Sequence, residues 1–187
     1  MIYKYRVTLE GIKGFYRVYL VNGSNTLYTF HKQLRSDLEF AIDQPILFKA
    51  FAGESLEGRY ALIDLGQGTV DHITVAATVK GGIDKFVYFY DTKAKKYVNI
   101  TFEGEATDVE DPVNSPVIID SKGPLPIEFE NGYVAFEDLP KEQRHLPGDV
   151  SFDNIEGDED FDDDEDGDGE DEDADDEDGK EIYDENE

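Results

Sequence analysis

The chain opens with an alternation of apolar and polar residues that is typical of a half-buried β-strand. The alternation covers residues 2–10, and the side chains of one face are Tyr3, Tyr5, Val7 and Leu9. Residues 11–14 (GIKG) have the glycines of a tight turn, and residues 15–21 are a second, nearly continuous apolar strand. The pattern therefore predicts a hairpin whose second strand lies in a sheet covered on both faces.

The apolar period becomes helical after residue 25. Apolar residues then recur at spacings of three and four, which is one face of an amphipathic helix: Leu27, Phe30, Leu34 and Leu38. Ser24 or Asn25 is the expected N-cap. The side chains expected to face solvent are Lys32, Arg35 and Glu39.

Later segments predict further strands at residues 46–51, 60–65, 85–91, 97–102, 116–120 and 132–136. Residues 53–58 are expected to form a turn. Residues 71–80 fit a strand or a short helix capped by Asp71, and we favour the helix. Asp138 is expected to cap a final helical turn. The predicted fold is a single α+β (or α/β) sandwich over residues 1–150, with a mixed, mainly antiparallel sheet and two or three packed helices.

The first part of this order resembles the plasmid pRiA4b ORF-3-like family. The similar segments are residues 5–21 (YRVTLEGIKGFYRVYLV), 26–34 (TLYTFHKQL) and 86–91 (FVYFYD). The resemblance implies an α/β sandwich over about residues 2–136, an association with plasmids and insertion elements, and a pocket around Arg17, His31, Tyr88 and Asp91. The chain departs from the family after Asp91, where a tryptophan and a histidine are absent. This departure lowers the expectation of catalysis.

The charge is concentrated at the C-terminal end. Residues 156–187 contain 22 of the 45 acidic residues and one of the 17 basic residues, which leaves 23 acidic and 16 basic residues before them. Burial of so few apolar residues cannot offset the conformational entropy that the segment would lose on folding. Residues 151–187 are therefore predicted to be a disordered acidic tail. Three roles remain open for the tail. It could improve solubility, it could bind a basic protein or mimic the phosphate backbone and so keep nucleic acid off such a protein, or it could bind divalent cations loosely.

No motif predicts a cofactor or a metal centre. Asp162, Asp164 and Asp166 match the start of a calcium loop, but Asp173 stands where the bidentate glutamate belongs. His31 is expected to be a structural histidine bonded to a backbone carbonyl, with a general base as the alternative, and His72 and His145 lie in polar segments. The absence of cysteine excludes disulfides and thiolate metal sites.

These observations favour a soluble, cytoplasmic, non-enzymatic interaction module, because the start lacks a signal peptide and no apolar run could span a membrane. Its partner would be a basic protein, linked by the resemblance to mobile elements or nucleic-acid-associated proteins. The alternative is a small-ligand binder or enzyme that uses the four-residue pocket. Direct nucleic-acid binding is not expected, since the one local basic cluster is Lys93, Lys95 and Lys96.

Overall fold

The computed structural model of the chain describes residues 1–107, 109 and 112–144. Within them, seven strands form one sheet in which every pairing is antiparallel, in the order β4-β3-β5-β6-β1-β2-β7. The strands are β1 Ile2–Thr8, β2 Tyr16–Asn22, β3 Leu47–Ala52, β4 Ser55–Tyr60, β5 Lys85–Asp91, β6 Lys96–Ala106 and β7 Val117–Lys122. The helices are α1 Leu27–Asp37, α2 Val75–Lys80 and α3 Pro126–Glu130, followed by 3₁₀ turns at Phe136–Asp138 and Lys141–Gln143. The predicted fold class is confirmed.

Helix α1 packs on one face of the sheet, which we call the inner face. Phe30 contacts the rings of Tyr5 and Tyr19 with centroid distances of 5.8 and 5.6 Å. Because residues that pair directly across antiparallel strands share a face, the register extends this core to Phe48, Phe86 and the alternate residues of β6. The largest fully buried side chains of the sheet are aromatic: Tyr3, Tyr5, Tyr19, Tyr88, Phe48 and Phe86.

The first turns of α1 and α2 are joined to each other. Thr26 and Thr74 form an antiparallel bridge, and each side chain accepts a hydrogen bond from the third residue of its own helix, at 3.2 Å. The Leu27 amide donates to the Ile73 carbonyl, and the Val75 amide donates to the Asn25 carbonyl. The bridge thus gives partners to amides that a helix start leaves unpaired. It also makes the threonines the N-caps, so the predicted caps at Ser24, Asn25 and Asp71 were wrong.

Four other local predictions were wrong. The fourth strand is Ser55–Tyr60, where a turn was predicted over residues 53–58, and residues 61–65 form no strand, because pairing with β3 decides this segment. Residues 132–136 lead into a 3₁₀ turn rather than forming a strand, and α3 was not anticipated. Asp138 caps no helix, since its carboxylate accepts from the Lys13 and Gly14 amides at 2.8 and 2.9 Å. Gly14 is required there, because a Cβ would lie 2.0 Å from the Ala135 Cβ.

The face of the sheet opposite α1, which we call the outer face, is only partly covered. On β2 the outer residues Val18 and Leu20 are buried, as expected for a strand covered on both faces. On β5 the outer residues Val87 and Phe89 are half-buried. The prediction that β2 is covered on both faces is therefore confirmed, whereas the outer face of β5 is only partly covered.

The described residues, all of which precede residue 145, belong to one compact unit. Within the described residues, no helix has both the length and the apolar character needed to cross a membrane. His145, the acidic tail and the possible calcium ligands Asp162, Asp164 and Asp166 lie outside the described residues.

Candidate functional site

A polar cluster lies under α1, on the inner face of the sheet. The Tyr88 hydroxyl is 2.9 Å from His31 Nδ1 and accepts a hydrogen bond from Arg35 Nε at 2.9 Å. Since the arginine can only donate, the tyrosine proton is available to the imidazole, which makes Nδ1 the acceptor and Nε2 the protonated nitrogen. The three side chains form a directed chain of hydrogen bonds, Arg35 to Tyr88 to His31.

Helix geometry brings these groups together. His31 and Arg35 are four residues apart, so they share the face of α1 that meets β5. Tyr88 is an inner-face residue of β5, and its ring packs edge-on against the imidazole with a centroid distance of 5.7 Å. Arg35 is only 4% exposed, so the prediction that it faces solvent was wrong. Its position in the apolar stripe with His31 and Leu38 was the signal that the sequence offered.

The electrostatics keep the cluster in one protonation state. Burial lowers the pKa of His31 to about 4, and the positive charges of Arg35 and Lys32 act in the same direction. Burial raises the pKa of Tyr88 to about 12, although Arg35 opposes this change. At neutral pH the imidazole is uncharged and the phenol keeps its proton. The arrangement fixes side chains in place and supplies neither an activated nucleophile nor a charged acid.

The other two predicted site residues have different partners. Arg17 is 7% exposed and donates to the backbone carbonyls of Lys122, Gly123 and Pro124 at 2.6, 2.9 and 3.1 Å. Its guanidinium also lies 4.6 Å from the centroid of the Phe15 ring. Arg17 therefore ties the end of β7 and the following turn to β2. The structure gives it a structural role and no contact with His31.

Asp91 ends β5 and shapes the β5–β6 turn. Its carboxylate accepts from the Lys93 and Ala94 amides at 3.0 and 2.9 Å. It also lines an open cleft of about 400 Å³ between the end of α1, the end of β5 and α3. The cleft residues are Leu38, Glu39, Phe40, Ala41, Gln44, Tyr90, Asp91, Lys96, Ile127 and Glu130. The structure thus brings together His31 and Tyr88, while Asp91 borders a neighbouring cleft.

Tyr90, Lys96 and Glu130 form the polar floor shared by this cleft and an adjacent depression. The Tyr90 hydroxyl donates to Glu130 at 2.9 Å, and Lys96 forms an ion pair with the same carboxylate. The Tyr90 ring stacks on Phe40 with a centroid distance of 4.1 Å and an interplanar angle of 4°. Burial raises the pKa of Tyr90 above its ordinary value, and the hydrogen bond to Glu130 makes a smaller contribution in the same direction. The phenol is therefore neutral at physiological pH.

Two buried polar atoms border the hydrogen-bonded cluster. Arg35 Nη2 donates to the Gln44 carbonyl at 3.2 Å, while Arg35 Nη1 and Gln44 Oε1 have no hydrogen-bond partner in the described chain. The ion pairs of the described chain also leave Arg35 without a carboxylate. A buried cation with a vacant N–H is costly, since its hydration is lost without full replacement. Because Gln44 lines the cleft, its hydrogen bond with Arg35 places the guanidinium next to the cleft wall.

Among the described residues, no group of three or more His, Asp or Glu side chains is placed to hold a metal ion. His72 is exposed, and its Nδ1 lies 2.8 Å from the Thr69 hydroxyl and 3.2 Å from the Asp71 carboxylate.

No protein-family model matches the chain, and no curated protein matches it either. Among solved structures, the fold is similar to the crystal structure of a protein of unknown function, MM3350, from Methanosarcina mazei Go1. The two share 13% sequence identity with a TM-score of 0.53, over 64% of this chain and 68% of the other. This similarity supports the α+β architecture and carries no activity with it.

Proposed function

We propose that the protein is a non-enzymatic interaction module that attracts a basic protein partner through its acidic C-terminal segment, residues 156–187. The observation that carries this proposal is the uneven distribution of charge. The segment holds 22 acidic residues and one lysine, out of a net charge of −28 for the whole chain. Such a charge density attracts cationic surfaces from a distance and accelerates encounter.

The polar groups of the folded unit support this proposal over catalysis. His31, the one described histidine that is buried, is neutral and hydrogen-bonded to Tyr88. Arg17 is committed to backbone carbonyls and Asp91 to backbone amides. Since each predicted site residue has a structural partner, the folded unit is better suited to present surfaces than to transfer protons. The resemblance to the pRiA4b ORF-3-like family supports partners that belong to mobile elements.

The test is a pull-down with the full chain at about 50 mM and about 300 mM salt, followed by identification of the retained proteins. A matched variant keeps the length of residues 156–187 but replaces each Asp by Asn and each Glu by Gln. We expect the full chain to retain basic proteins at low salt and to lose them at high salt, because screening weakens exposed charge attraction. The amide variant should retain none of them. The same retained proteins in all four conditions would contradict the proposal.

The buried guanidinium favours a second candidate function, which is binding of a small anionic ligand in the cleft. Arg35 has no carboxylate partner among the described residues, and its Nη1 group has no hydrogen-bond partner there. Its Nη2 group donates to the backbone carbonyl of Gln44, which lines the cleft. A carboxylate or phosphate group could supply the missing acceptor.

An NMR titration with acetate and inorganic phosphate tests this second function. Binding should shift the Gln44 side-chain amide and the Tyr90 resonances in a saturable way, and Gln44→Leu should remove the Tyr90 response in a folded protein. Unchanged resonances at these positions with both anions would contradict it.

A further inference from the structure

Cations from separate strands meet on the outer face of the sheet. Register places Lys49 of β3 directly opposite Arg59 of β4, and Lys49 is also paired with Val87 of β5. Lys85 lies two residues before Val87, so its side chain projects from the same face as Lys49. We call Lys49, Arg59 and Lys85 the cationic triad. The three residues lie between 10 and 36 positions apart in sequence, so they form no local run of basic residues that sequence analysis could detect.

The triad lacks compensating carboxylates. The ion pairs of the described chain include Lys4 and Arg6 with Glu103, and Lys122 with Glu137, but none of the triad. Like charges directly opposite each other destabilise a pair of antiparallel strands. Lys49 and Arg59 hold such a position in a protein whose net charge is −28. A locally uncompensated positive surface on an acidic protein favours an anionic ligand.

Half-buried aromatic rings lie beside these cations on the same face. Lys49 Nζ is 4.9 Å from the centroid of the Phe89 ring, and Lys85 Nζ is 6.0 Å from that of Phe51. Phe89 is also 5.5 Å from the neighbouring ring of Tyr97. Helix α1 packs on the opposite, inner face of the sheet and does not cover these rings. Phe51, Phe89 and Tyr97 are half-buried, so part of each ring is open to solvent.

We propose that the outer face around β4, β3 and β5 binds single-stranded nucleic acid. The triad would pair with phosphates, and Phe89, Tyr97 and Phe51 would stack on bases. Cations that follow a backbone, beside rings that stack on successive bases, are the two components of single-strand binding surfaces. An acidic peptide would use the cations and leave the rings without a role. This surface differs from the acidic segment in position and in sign of charge, so the proposal stands independently of the proposed function and opposes the sequence expectation of no direct nucleic-acid binding.

The test is fluorescence anisotropy of the full chain with a labelled single-stranded oligothymidylate. Three phosphate contacts predict a slope of log affinity against log salt of about −2, at about −0.7 per contact. Phe89→Leu keeps an apolar side chain and removes the ring, and we expect it to weaken binding about tenfold. Lys85→Gln should weaken binding and make the slope less steep by about 0.7. Lys93→Gln, in the β5–β6 turn, is the matched control and should leave binding unchanged.

Two competitors separate this ligand from other polyanions. The same oligonucleotide in duplex form and polyglutamate of equal charge should both compete poorly, because neither offers unstacked bases to the rings. Polyglutamate that competes as well as the single strand, with no effect of Phe89→Leu, would assign the face to acidic protein segments and overturn the proposal. A full chain that does not bind the single strand at low salt, or that responds equally to Lys93→Gln and Lys85→Gln, would also overturn it.

Discussion

At the scale of single residues, His31 lies where both burial and neighbouring charge oppose protonation. Its pKa is about 4 in the folded protein, below the ordinary value of 6.5. The unfolded chain therefore binds more protons between these values, and stability falls as the pH decreases from about 6.5 toward 4. Above about pH 6.5 the imidazole is mostly neutral in both the folded and the unfolded chain, so His31 no longer lowers the free energy of unfolding.

His31→Asn should remove this contribution to acid sensitivity. The free energy of unfolding of the wild type, measured by urea denaturation, should fall more steeply between pH 6.5 and pH 4 than that of the variant. His72→Asn is the matched control, because His72 is exposed. Identical slopes for the wild type and His31→Asn would show that the imidazole is not held neutral.

Arg17 is expected to matter for stability rather than for binding. Arg17→Gln should lower the free energy of unfolding by about 3 kcal/mol, because the partly buried carbonyls of Lys122, Gly123 and Pro124 lose charge-assisted donors. Arg17→Lys should recover little, since lysine lacks the planar fork of donors. Arg6→Gln, at a partly exposed ion pair, should cost less than about 1 kcal/mol. A near-neutral Arg17→Gln in urea denaturation would refute this role.

Resemblance and periodicity anticipated His31 and Tyr88 but not their third partner. Arg35 was assigned to solvent because an arginine near the end of an amphipathic helix usually projects outward. Its burial depends on the hydroxyl of Tyr88 and the carbonyl of Gln44, which no local pattern can place. Arg17 was grouped with His31 although its acceptors come from the turn after β7.

At the scale of elements, the paired starts of α1 and α2 give a test of capping. Thr26→Ala and Thr74→Ala should each lower the free energy of unfolding by about 1 kcal/mol, because each removes the acceptor for one helix amide. Ser24→Ala should have a clearly smaller effect, since the Ser24 hydroxyl donates to Asn22 and caps no helix. Thermal or urea denaturation measures the three values. Equal losses in all three variants would contradict the assignment of the caps.

The edge strand β4 is protected by a side chain in place of a neighbouring strand. Gln67 Oε1 accepts from the Arg59 amide at 3.0 Å, and Gln67 Nε2 donates to the Glu57 carbonyl. Unpaired edges invite pairing with other chains.

Gln67→Ala should therefore accelerate hydrogen exchange at the Arg59 amide and promote association at high concentration. Gln33→Ala, on α1, removes a similar side-chain amide away from any sheet edge and serves as the control. Unchanged exchange at Arg59 in Gln67→Ala would contradict this protective role.

Strong local periodicity predicted the first hairpin, α1 and β5 with nearly correct bounds. The sequence of β4 (SLEGRY) has no apolar alternation and contains Gly58, so only its pairing with β3 makes it a strand. Helix α3 spans five residues, which is too short for a helical period to appear.

At the scale of the whole molecule, charge is arranged in two opposite ways. The sequence alone shows the acidic residues of 156–187, because they are contiguous. The cationic triad appears only when sheet register brings β3, β4 and β5 side by side. Contiguous features are thus readable from sequence, whereas surfaces assembled across strands are not.

The most direct test of whether residues 156–187 attract a basic protein is the salt dependence of the affinity for a partner retained in the pull-down. Isothermal titration calorimetry would compare the full chain with its amide variant in residues 156–187 across a series of salt concentrations. Affinity for the full chain should fall steeply as salt increases, while the amide variant should bind weakly with little dependence on salt. Equal affinities and equal salt slopes for the two proteins would contradict a role of the acidic segment in binding.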